Sequence, residues 1–229
     1  MAGAGGTFRI FVSSTFDDLR AERNALQRFV FPRLRELCAR EGASFQEIDL
    51  RWGVSEEASL DQRTMPICLG EIGRCLETTP RPNFVALLGY RYGWRPLPYE
   101  IPADAFDKIT GQADADTKVL LGEWYERDDN AVPPVYCLRP RTGKYEDFAT
   151  WEAEVERSLR DLLAPASATA QEIEYGTRVA EPRDHVFAFF RRIAIDGVHL
   201  AEALPADGRA DREDVPFVVE LRDGGPGVT

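Results

Sequence analysis

NFVALLG, residues 83–89, is the stretch on which the fold turns. Phe84 to Leu88 form an unbroken apolar run closed by a glycine, too short for an ordinary helix and without a polar alternation. A strand covered on both faces has that character, and strands covered on both faces belong to parallel sheets flanked by helices. Upstream, RIFVS (9–13) is β-branched and aromatic and reads as a first strand. Residues 45–52 read as a second, with Ile48, Leu50 and Trp52 alternating. Downstream, HVFAFF (185–190) repeats the apolar character of 83–89 and predicts another central strand.

Helical patterns separate these runs. Leu19, Leu26, Val30, Leu34 and Leu37 form one apolar stripe. Ser14 or Thr15 is expected to cap that helix, with Asp17 or Asp18 as the reciprocal carboxylate. Pro32 should kink it and Gly42 end it. Ile67, Cys68, Ile72, Cys75 and Leu76 mark a second helix. It starts either at a Ser59–Gln62 capping box or later, with Pro66 in the first turn. The order β-α-β-α-β with right-handed crossovers predicts an α/β, doubly wound parallel sheet.

The rhythm then breaks. Residues 95–116 are rich in Pro, Asp and Gly, followed by a short helix near 119–127 and a candidate strand at 135–138. An amphipathic helix follows, with Phe148, Trp151, Val155, Leu159 and Leu162 on one face. A helix at 167–179 and the strand at 185–190 restore the βα order, so residues 95–165 are expected to be a large insertion after the third strand. The expected organisation is a flexible N-terminus (1–7), one α/β domain (8–200), and a linker or the start of a further domain (201–229).

Hydrophobic residues make up 44% of the 229 and charged residues 29%, enough to bury a core. The net charge of −11 argues against nucleic acid or an anionic membrane as partner, since both need clustered cations. Four cysteines without a CxxC pair read as core residues in a reducing compartment, and with only His185 and His199 no metal site is expected. No signal peptide or membrane span is apparent, which predicts a cytoplasmic location.

In an open parallel sheet, ligands bind beyond the carboxyl ends of the strands. At Ser13-Ser14-Thr15, hydroxyls and amides at a helix start suit a phosphate or ribose, or simply cap the helix. In the loop 49–54, Arg51 and Trp52 could hold a ribose and stack a base; alternatively Asp49 pairs with Arg51 while Trp52 lids the core. Tyr90, Arg91, Tyr92 and Trp94, framed by Gly89 and Gly93, suit ligand stacking or anchor the insertion. Thr169 and Glu172 match a capping box, which is a structural role. There is no GxGxxG and no P-loop.

RIFVSSTFDDLRAERNAL (9–26), EIDLRWGV (47–54), CLGEIGRC (68–75), NFVALLGYRYGW (83–94), RDDNAVPPVYCLR (127–139) and SATAQEIEYG (167–176) occur in that order. Together they resemble a family known as a domain of unknown function at the N-terminus of NACHT-, TPR- and WD-repeat proteins, including nephrocystin-like and telomerase-associated-protein-like chains. The resemblance covers roughly residues 8–192. It implies a TIR-like, flavodoxin-like fold, similar to nucleoside deoxyribosyltransferases and NAD-cleaving enzymes. It further implies a catalytic carboxylate on the helix at 167–179, Glu172 first and Glu174 second. Ser13, Ser14, Arg51, Trp52, Tyr90 and Arg91 become candidate substrate contacts. The family stretch usually carries another acid where Ala170 stands here, and the Trp-Cys pair of many TIR enzymes is missing from that helix.

The function so implied is an effector domain of a signalling or defence NTPase, hydrolysing the N-glycosidic bond of NAD on assembly. NAD would be the substrate and no cofactor would be required. The expected partners are a small nucleotide, further copies of the domain, and downstream NTPase or repeat domains. Two alternatives stand beside it: a non-catalytic homotypic interaction module, and a nucleoside or nucleotide glycosidase that does not use NAD.

Overall fold

The computed structural model describes residues 6–15, 17–50, 56–78, 81–163, 166–178, 182–192 and 218–220. Eight strands are present among them: β1 (Thr7–Ser13), β2 (Ser44–Ile48), β3 (Phe84–Leu88), β4 (Glu100–Pro102), β5 (Tyr125–Asp128), β6 (Val135–Leu138), β7 (Val186–Arg192) and β8 (Val218–Glu220). The chain divides into two compact units. The first holds Met1–Asp49, Arg74–Arg91 and Gly176–Thr229; the second holds Leu50–Gly73 and Tyr92–Tyr175.

The first unit is an α/β layer of the TIR-like, flavodoxin-like kind. Its sheet has the order β2-β1-β3-β7-β8. The four expected strands pair in parallel: Phe11 stands opposite Ile48 and Phe84, and Ala86 opposite Ala188. β8 joins the edge antiparallel to β7. Period-two alternation sorts the side chains. Ile10, Val12 and Leu87 face the helical stripe of Leu19, Leu26, Phe31 and Leu34. Phe11 and Phe84 stack on the other face, ring centroids 5.9 Å apart. Gly176 comes so close to Phe84 that a Cβ there would lie 2.8 Å from its ring. Asn83, fully buried, ties the amino ends of the strands: its amide donates to the Cys75 carbonyl at 2.8 Å, and its backbone N–H to the His185 carbonyl at 3.1 Å.

Three details differ from expectation. The first helix begins at Arg20, so the cap position falls on Leu19, whose side chain has no acceptor, and neither Ser14, engaged by Arg23, nor Thr15 caps it. Pro32 does not bend the helix alone. A π-helical stretch, Leu26–Val30, precedes it, which accommodates the i→i−4 donor that proline lacks. And β7 is only partly covered, since Phe187 and Phe190 are about half exposed. Gly42 does end the helix as a left-handed residue (φ +73°). Its N–H donates to the Ala39 carbonyl and that of Ala43 to Cys38, the two bonds of a Schellman motif. The next helix, Thr64–Thr78, takes the later of its two expected starts; Ser59 lies in a separate short helix, Glu56–Leu60.

The second unit has its own antiparallel sheet, β4-β6-β5, so residues 135–138 are not part of the parallel sheet. Helices Ala103–Gln112 and Ala115–Trp124 fill the stretch that reads as irregular from composition. Trp151, Val155, Leu159 and Leu163 are buried in its core with Leu121, Trp124 and Leu138. The expected stripe had Leu162 and Phe148 in place of Leu163, yet both are exposed. A π stretch at Glu152–Glu156 rotates the helix and puts Leu163 inward.

Candidate functional site

The carboxyl ends of β1, β3 and β7 carry a buried polar group built on the helix start after β1. Along that helix, Glu22 and Arg23 fall between Leu19 and Leu26, on the face that meets the sheet. Arg23 is 1% exposed. It donates Nε to Ser14 Oγ at 2.6 Å, Nη2 to the Val12 carbonyl at 3.1 Å and to the Ser14 carbonyl at 3.3 Å, and Nη1 to the Asp49 carboxylate. Asp49 follows the end of β2 and is buried with it.

Arg191, near the end of β7, forms the second centre. Its Nη1 donates to Glu22 Oε1 at 3.0 Å and to the Asp18 carbonyl, and its Nη2 lies 3.8 Å from Asp18 Oδ2. Asp18, Glu22 and Arg191 are all nearly buried, and neither Asp18 carboxylate oxygen accepts a hydrogen bond. Gly89, just after β3, lets Asp18 sit there: a Cβ at that position would be 2.6 Å from Asp18 Oδ2. The Thr15 hydroxyl, also buried, has no hydrogen-bond partner. The buried charges are therefore Asp18, Glu22 and Asp49 against Arg23 and Arg191, an excess of one negative charge. Such a rim suits sugar hydroxyls or a developing cation. Its unpartnered donors are the Thr15 hydroxyl and Arg191 Nε.

Ser13 is fully buried at the end of β1, and Ser14 is the acceptor for Arg23. Tyr90 and Arg91 are exposed beside the same strand ends, with Arg91 3.6 Å from Asp17. Arg51 and Trp52 lie outside the described residues. Glu172 belongs to the second unit, 8% exposed on the helix Ala168–Gly176, while Glu174 on that helix is exposed. Ser167, not Thr169, caps this helix: its Oγ accepts the Ala170 N–H at 3.2 Å. Ala170 thus holds the place from which a capping box reaches back, and Glu172 stands two residues beyond it.

Trp94 anchors the second unit. Its Nε1 donates to Glu156 Oε1 at 2.7 Å, and its ring meets Phe148 edge-on. The sequence offers Asp18 only as a cap and does not single out Glu22, Arg23 or Arg191. The signal was there: two charged residues inside an apolar helical stripe must find buried partners. Among the described residues, no three His, Cys, Asp or Glu side chains cluster as a metal site, no two cysteines form a disulfide, and no helix is long and apolar enough to cross a membrane.

Comparison with known proteins places these features. Residues 9–105 match the model of a domain of unknown function, DUF4062. The chain is 38% identical over 173 residues to NACHT and WD repeat domain-containing protein 2 of Mus musculus, an alignment covering 74% of this chain and 9% of that relative. It is 38% identical over 121 residues to NACHT domain- and WD repeat-containing protein 1 of Mus musculus, covering 52% of this chain and 8% of the relative. Over 94 residues it is 40% identical to telomerase protein component 1 of Rattus norvegicus, covering 41% and 3%. The chain thus spans less than a tenth of the length of these relatives. No solved structure matches it significantly. Residues 9–105 belong to the DUF4062 family, and two of these relatives are multidomain proteins with NACHT and WD repeat domains.

Proposed function

We propose that this domain hydrolyses the N-glycosidic bond of a nicotinamide dinucleotide when copies of it are assembled through the multidomain chain that carries it. The observation that carries the reading is Glu172, a carboxylate buried on the helix Ala168–Gly176 and not at its reciprocal capping position. A second feature, within the first unit, supports it. The rim around Asp18, Glu22 and Arg191 offers unpartnered carboxylate oxygens on Asp18 and Glu22, acceptors that ribose hydroxyls could use.

The chemistry asks little of the protein. Nicotinamide is bound to C1′ through a cationic ring nitrogen, so it leaves as a neutral base with the bonding pair and needs no general acid. Positive charge develops on the ribose, and a carboxylate stabilises that oxocarbenium-like state. Water then adds to C1′ and releases its proton. The dinucleotide is the substrate, and no cofactor enters.

A second reading is favoured by one specific observation. Phe187 and Phe190 on β7 are 50% and 55% exposed, one on each side of the sheet, apolar surface that suits self-association without catalysis. Incubating the assembled protein with NAD and a panel of nucleosides and nucleotides, then quantifying free base by chromatography, separates the readings. Nicotinamide release from NAD is the expected result. Release from nucleosides alone points to a glycosidase of other substrates. No release, together with assembly lost in Phe187→Asp, points to the interaction module.

A further inference from the structure

Within the second unit, a cavity of about 30 Å³ is walled by Ser59, Gln62, Thr64, Trp94, Arg141 and Phe148, among others. Arg141 is unusual among these. It is 5% exposed, and no carboxylate lies within ion-pair distance of it among the described residues. Its Nη2 donates to the Ser59 hydroxyl at 3.1 Å and to the Ser59 carbonyl at 3.3 Å, and its guanidinium lies over the Phe148 ring at 5.5 Å. Its Nη1 is buried with no hydrogen-bond partner. Burial lowers its pKa, and the fields of Glu156 and Asp147 only partly oppose this.

A buried cation without an ion-pair partner is costly, and a bound anion would offset that cost. Two neighbours agree with that. Thr64 and Met65, in the cavity wall, are the first residues of the fifteen-residue helix Thr64–Thr78, where free amides and the helix dipole favour negative charge. The Ser59 and Thr64 side chains add hydroxyls. The space is that of a single small group, far short of a dinucleotide.

We infer that this cavity is a binding site for one phosphoryl group, with Arg141 as its counter-ion and the start of the helix Thr64–Thr78 as its second wall. The site is separate from the glycosidase reading and survives its failure. Two sources share the chemistry, free orthophosphate and the phosphate of a mononucleotide.

Isothermal titration of the protein with orthophosphate and with AMP, at constant ionic strength in chloride, tests it. Saturable binding is expected in wild type. It should weaken about tenfold or more in Arg141→Gln, the loss of one charge-assisted hydrogen bond. Equal affinities would identify free phosphate, and tighter binding of AMP a nucleotide. Thr64→Asp guards against a variant that fails to fold: aspartate is favourable in a first helical turn. It places a carboxylate in the cavity wall, so it should abolish phosphate binding and raise the melting temperature. Absence of saturable binding to either compound, or binding unchanged in Arg141→Gln and Thr64→Asp, would overturn the inference.

Discussion

Replacing Arg23 with methionine tests the polar centre of the first unit. The side chain is 1% exposed and its partner Asp49 3%. Methionine fills much of the volume but leaves the Asp49 charge buried and unpaired. Breaking a buried pair in this way costs about 3–5 kcal/mol. Against a total stability of roughly 5–15 kcal/mol, that is a large share. Asp49→Asn should cost less, about 1–3 kcal/mol, because Arg23 keeps its bonds to Ser14 and the Val12 carbonyl and the amide oxygen remains an acceptor. The double variant Arg23→Met with Asp49→Leu should recover only part of the loss. The Val12 and Ser14 carbonyls still lack the donor that Arg23 supplied. Urea unfolding followed by far-ultraviolet circular dichroism measures all three. An Arg23→Met cost below about 1 kcal/mol, the range of surface pairs, would refute the reasoning.

Three further outcomes follow from the packing and the charges. Gly176→Ala puts a methyl within 2.8 Å of the fully buried Phe84 ring and should destabilise by about 1–3 kcal/mol, the usual cost of overpacking; an unchanged urea midpoint would show that the ring yields. Leu87→Ala, in the middle of β3, should cost about 2–5 kcal/mol, and a loss under about 1 kcal/mol would mean that strand is not central. Burial raises the pKa of Glu156, although Trp94 and Arg160 oppose it. The folded state therefore holds this proton more tightly than the unfolded state. Its contribution is full below the ordinary glutamate range and is lost as pH rises through the raised value. Melting curves of wild type and Glu156→Gln across that window should differ in slope, with the decline absent in the variant.

The parallel sheet was legible because its strands are apolar runs set between helical stripes, a pattern that two covered faces impose. The second unit was only half legible. β6 stands out in residues 135–138, but β4 is three residues ending in Pro102, and β5 carries Glu126, Arg127 and Asp128 in its four. Both owe their strand conformation to pairing with β6 rather than to their own composition. The π stretches were illegible, since a single inserted phase shift looks like an ordinary stripe until Leu163, not Leu162, turns inward. The rim of the sheet was hidden for another reason. Arg23 meets Asp49 across 26 residues and Arg191 meets Glu22 across 169, so only the fold brings these charges together.

Glu172→Gln is the most direct measurement of the functional account. Wild-type and variant protein, assembled at the same concentration, are incubated with NAD, and free nicotinamide is quantified over time. The variant keeps the shape of the side chain and removes the negative charge that an oxocarbenium-like state requires. The account predicts nicotinamide from wild type and none from Glu172→Gln, with identical circular dichroism spectra. Equal release from both, release lost instead in Glu174→Gln, or no base released by assembled wild type from any nucleotide would contradict it.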